Sequence, residues 1–78
     1  MELNQFLAHI ADQFDDSDIS SFSVDTRFKE LEDYTSLVAL LIITTIDEEY
    51  NVTITGDDMV KVNTIGELYD LVSSKSNV

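Results

Sequence analysis

The sequence contains no cysteine and no proline, and its only glycines are Gly56 and Gly66. Without cysteine there is neither a disulfide staple nor a thiolate metal centre. So little glycine and proline is a poor supply of turn chemistry for a many-stranded β protein, and it favours helices. Cations are scarce as well: four Lys+Arg stand against sixteen Asp+Glu, a net charge of −12. Phosphate backbones are bound by clustered cations, so nucleic acid is excluded as a partner and anionic membrane surfaces are disfavoured. Basic protein partners suit such a surface. The longest apolar run, Leu37 to Ile43, falls far short of the ~20 residues of a membrane span. Met1-Glu2-Leu3-Asn4-Gln5 lacks the basic start and apolar run of a signal peptide, so a cytoplasmic protein is expected. The length of 78 residues suits one small domain, taken as 1–78, with a thin core and an expected monomeric state.

Hydrophobic periodicity organises what is present. Leu3, Phe6, Leu7, Ile10 and Phe14 share one face at ~100° per residue, predicting an amphipathic helix over about residues 2–14. Residues 15–35 have no such period and read as a long loop, with Phe28 and Leu31 as anchors on the core. The stretch from Ser36 to Tyr50 is β-branched enough to read locally as strand, but its length and the following acids favour a second helix. On a helical wheel Ala39, Ile42, Ile43, Ile46 and Tyr50 form one face, with Leu37, Val38, Leu41, Thr44, Thr45 and Glu48 on the other side. Asn51 suits a left-handed helix end, and Val52-Thr53-Ile54 an extended link with Ile54 buried. Thr55-Gly56-Asp57-Asp58 opens a short helix, and Thr64-Ile65-Gly66-Glu67 matches a capping box. The closing helix turns Ile65, Leu68, Leu71 and Val72 inward and frays over 73–78. The expected fold is an all-α bundle of three longer helices and one short one.

Candidate chemistry is sparse. The only histidine, His9, lies on the polar side of the first helix as a solvated residue, with no spacing to suggest a Ser–His–Asp arrangement. Asp16-Ser17-Asp18 opens like a calcium loop, but Ser21 and Arg27 occupy the positions that need glycine and a bidentate glutamate. Asp47-Glu48-Glu49 and Asp57-Asp58 read as solvated acids, so no metal site is expected. Ser36 is different. With Thr35 as N-cap it stands in the first turn of the second helix, where an attached phosphodiester would meet the positive end of the helix dipole. The alternative is that Thr35 and Ser36 serve only as capping residues.

From Phe28 to Val72 the chain resembles the acyl carrier protein family. The resemblance runs through Phe28, Leu31, Thr35-Ser36-Leu37, Asp47-Glu48-Glu49-Tyr50-Asn51, Ile54, Asp57-Asp58 and Asn63-Thr64-Ile65, with no gap between Ser36 and Thr64. It implies a carrier-protein bundle with 4′-phosphopantetheine on Ser36, donated by coenzyme A through a separate phosphopantetheinyl transferase. The arm would hold acyl groups as thioesters for acyl-loading and acyl-processing enzymes, and the chain itself would not be an enzyme. Two departures stand out: Thr35 replaces the usual acid before the serine, and Glu32 a frequent glycine. Family members usually carry acids along the outer face of the second helix. Here Leu37, Val38 and Leu41 begin that face, and acids appear only at Asp47 and Glu48. Together with Thr35 these are the candidate partner-binding residues, the apolar ones either exposed to a partner or packed under the loop. The resemblance thus points to a specialised carrier. Alternatives are an aminoacyl, D-alanyl or peptidyl carrier using the same serine, and an unmodified, carrier-like interaction subunit.

Overall fold

The computed structural model describes residues 2–14 and 22–76. Four α-helices follow in order: α1 (Leu3–Ala11), α2 (Ser36–Tyr50), α3 (Gly56–Lys61) and α4 (Ile65–Ser76), with a 3₁₀ turn at Phe28–Glu30 before α2. No strand occurs among the described residues, so the all-α expectation holds and the strand reading of Ser36–Tyr50 is set aside. The Asp16–Ser20 segment lies outside the described residues.

Local chemistry explains the ends. The Glu2 carboxylate accepts from the amides of Asn4 and Gln5 at 3.0 and 2.9 Å and starts α1. That helix closes earlier than its period predicts. The amides of Gln13 and Phe14 donate to the carbonyls of Ile10 and Ala11, i→i−3 bonds that tighten the chain after Ala11 and still bury Phe14. Thr35 caps α2, and Asn51 ends it in the left-handed region at φ 58°. Thr55 and Asp58 form a capping box on α3, while Thr64 and Glu67 exchange hydrogen bonds at the head of α4.

Phe6 and Ile10 of α1, Ile42 and Ile46 of α2, and Ile65, Leu68 and Val72 of α4 are fully enclosed, with Phe28 from the loop among them. Phe6 joins the helices directly. Its ring lies 5.7 Å from Tyr50 and 5.3 Å, edge-on, from Tyr69. The anchoring role read for Phe28 and Leu31 is met: Phe28 is buried and Leu31 packs against the core. Two polar links hold the connecting segment in place. Lys29 Nζ donates to the carbonyls of Met59 and Val60 at 2.9 and 3.2 Å, at the carboxyl end of α3. The amides of Ile65 and Gly66, unsatisfied within α4, donate to the carbonyls of Thr26 and Val24 at 3.0 and 2.9 Å. The expected fraying over 73–78 is corrected for 73–76, which are helical, while 77–78 lie outside the described residues. α4 continues to Ser76, because Lys75 Nζ binds Asp58 Oδ2 at 3.0 Å and the Thr53 carbonyl at 3.3 Å.

Candidate functional site

The site begins where the loop becomes α2. Thr35 is extended (φ −137°, ψ 174°), and its Oγ1 accepts from the Val38 amide at 3.2 Å. The first turn is thereby set, and Ser36 follows as its first helical residue, exposed to solvent. No described protein group hydrogen-bonds the Ser36 hydroxyl. Amides at this end have no carbonyl partner within the helix, so the local dipole favours an anion on that oxygen. A phosphodiester there would be compatible with both the space and the field. Tyr34 braces the approach from below: its ring meets Phe28 edge-on at 5.8 Å, and burial raises its hydroxyl above the usual tyrosine range.

Among the described residues, no side chain hydrogen-bonds this hydroxyl as a base would, and the histidine lies elsewhere. His9 packs edge-on against Tyr50 at 5.6 Å, and its Nε2 is 3.8 Å from Glu49 Oε1. Tyr50 lies at the far end of α2, roughly 21 Å along the axis from Ser36 at 1.5 Å per residue. The reading of His9 as a solvated residue is corrected: it is half-buried in the seam between α1 and α2, because α1 runs across that end of the helix. Burial, then Glu49, Glu2 and Tyr69, raise the Tyr50 hydroxyl, which stays protonated at neutral pH. Among the described residues, no three His, Cys, Asp or Glu side chains gather in a way that could hold a metal ion.

The residues proposed for partner contact divide. Leu37 and Leu41 are 64% and 38% exposed, and Thr35, Asp47 and Glu48 also face solvent. Val38 does not. It is only 9% exposed and packs in the core one turn before Ile42. Its place at the surface is taken by Leu40, 57% exposed, which the sequence reading passed over. The signal was available in the spacing, since Leu40 stands four residues after Ser36 on the same stripe.

A small acidic helical domain that exposes a serine at the head of its second helix has the layout of a carrier-type domain. The chain belongs to the phosphopantetheine-attachment family: the family model described as "Phosphopantetheine attachment site" matches residues 4–72. The cofactor of this family is 4′-phosphopantetheine, covalently bound, and its domains generally interact with phosphopantetheinyl transferases and partner enzymes. Searches of the curated proteins and of the solved structures found no match. No helix among the described residues is long and apolar enough to cross a membrane.

Proposed function

We propose that Ser36 carries the 4′-phosphopantetheine arm and that the chain, acting as one domain and without catalysis of its own, is an acyl carrier for a specialised fatty-acid, polyketide or lipid pathway in the cytoplasm. One observation carries the reading: the exposed, unpartnered Ser36 hydroxyl in the first turn of α2, within the segment that matches the family. When bound, the arm supplies a thiol that holds acyl groups as thioesters. Ser36 anchors it, and the free amides of the first turn favour its phosphodiester. Tethering gives the cargo a high effective concentration at partner active sites. The specialised pathway is supported by Thr35 and by the uncharged first three turns of α2, where carriers of the resembling family show acids.

The test is intact-mass measurement after incubation with coenzyme A and a panel of phosphopantetheinyl transferases. A gain of about 340 Da, absent in Ser36→Ala, supports the proposal. No gain with any transferase leaves the unmodified interaction subunit. Loading of the holo chain by an amino-acid ligase but by no acyl ligase makes it an aminoacyl or peptidyl carrier. Full complementation of a strain lacking its housekeeping carrier would count against the specialised pathway.

A further inference from the structure

A cleft of about 440 Å³ opens between the first turn of α1, the turn at residues 24 and 25, and the head of α4. No residue of α2 lines it, so it is separate from the Ser36 site. Its volume falls within the ~300–1,000 Å³ of ligand sites. The charge of its occupant follows from how the backbone around it is satisfied. The head of a helix ordinarily offers free amides to an anion. Here they are taken: Ile65 and Gly66 donate to the carbonyls of Thr26 and Val24 at 3.0 and 2.9 Å, and Glu67 donates to Thr64 Oγ1 at 3.1 Å. What remains on the rim is carboxylate, from Asp25, Glu67 and Asp70. Glu67 Oε1 already accepts from the amides of Asn63 and Thr64. Asp25 and Asp70 are exposed, and no described group pairs with either carboxylate. No Lys or Arg of the chain lines the cleft.

The rest of the lining narrows the class further. Leu3, Val24 and Tyr69 give the cleft apolar surface between the acids. Such a mixture suits a cation on a hydrocarbon stem, whose methylenes cover the apolar part while the head reaches the carboxylates. A bare metal ion does not fit, because no three acids among the described residues gather closely enough to hold one. A guanidinium fits better than an ammonium. Its planar fork of five N–H donors can serve two separated carboxylates and can stack on the Tyr69 ring. A free amino acid would set its own carboxylate against three acids, whereas an arginine within a peptide chain has lost that charge. A second copy of this chain is disfavoured by the repulsion of two bodies of net charge −12. We propose that the cleft between α1, the 24–25 turn and the head of α4 is a docking site for one arginine side chain of a protein partner. The site does not depend on whether Ser36 is modified.

The experiment titrates the isotope-labelled full chain with the peptide acetyl-Gly-Ser-Arg-Ser-Gly-amide and follows the backbone amides by NMR. The largest shifts are expected at Val24, Asp25, Glu67 and Asp70. The lysine counterpart should bind about threefold more weakly, and the neutral citrulline counterpart about tenfold more weakly. Asp25→Asn/Asp70→Asn should weaken binding of the arginine peptide about fivefold, each single change carrying part of the loss. Glu32→Gln/Asp33→Asn removes the same charge elsewhere and should cost less than about twofold. Far-UV circular dichroism checks that each variant is folded. The proposal is overturned if the peptide does not bind, if its shifts spread evenly over the acids of α2 and α3, if citrulline binds as well as arginine, or if the control pair costs as much as the cleft pair. Tighter binding of spermidine at the same amides would make the cleft a polyamine site and overturn it too. So would shifts there that follow the concentration of the chain alone, which would mark a contact between copies. Ser36→Ala should bind the peptide like wild type, so failure of the carrier reading and failure of the cleft are read separately.

Discussion

The Gly66 amide donates to the Val24 carbonyl at 2.9 Å, and a methyl group added at Gly66 would stand 3.0 Å from that same oxygen. The loop before α2 therefore lies directly on the first turn of α4, so close that a side chain there would have to push it back by a few tenths of an ångström. Gly66→Ala is expected to destabilise the protein by about 1 kcal/mol, because pushing Val24 away outweighs the gain in helix propensity. At this chain length that is a fall of about 4–8 °C in melting temperature. Gly56 has nothing within 4 Å of such a methyl and no positive φ, so Gly56→Ala should be neutral or slightly stabilising. Thermal melts of the two variants side by side check the contrast; equal effects would show that the loop is not held against α4.

Asp58 governs part of the acid limb of stability. The hydrogen bond from the Thr55 amide, then that from Lys75, lowers its carboxyl from the ordinary 3.8 to about 2. A depressed folded value means that this carboxylate favours the fold above about pH 4, and the contribution is lost as pH falls through about 2. Asp58→Asn should lower the melting temperature most at pH 7, with the gap from wild type shrinking towards pH 2. Lys75→Met should follow the same pattern more weakly and loosen α4 after Val72. Melts at pH 7, 4 and 2 measure both; a gap that widens in acid would contradict the assignment.

Thr35 has a structural role separable from any part in recognition. Its Oγ1 caps the Val38 amide. Thr35→Ala is expected to cost about 1 kcal/mol, whereas Thr35→Asp keeps the cap and should leave stability nearly unchanged. Both retain Ser36. Denaturant unfolding gives the stabilities, and a Thr35→Ala variant as stable as wild type would remove the cap from the account.

The remaining acids have few counterions. Of the four Lys+Arg, Lys29 is directed to the carbonyls at the end of α3 and Lys75 to Asp58 and Thr53. Among the described residues Arg27 reaches only exposed Glu30, at 3.5 Å. Self-repulsion among the carboxylates is thus weakly offset, and salt or divalent cations should raise the melting temperature by more than they would for a neutral domain of this size. A midpoint unmoved by 0.5 M NaCl, roughly a fivefold rise over 0.1 M, would show that the charges are better dispersed.

The sequence by itself determined the helix boundaries wherever a short-range device sets them. Thr35 and Asn51 bracket α2, Thr55 begins α3, and Thr64 with Glu67 begins α4, because caps and left-handed stops act through residues at most four apart. It also brought Ser36 to notice, since the head of a helix follows from its cap. Only the tertiary structure decided which way α2 faces. The helix is apolar nearly all round over its first three turns, so its period does not tell Val38, which is buried, from Leu40, which is not. That choice is made by α1, α4 and the loop carrying Phe28, which close over one side and leave the other to water. The same holds for the last turn of α4 and the seat of Val24 on Gly66. Both depend on partners far away in sequence, Lys75 on Asp58 and Thr53, and Gly66 on Val24, and contacts of that range exist only once the chain has folded.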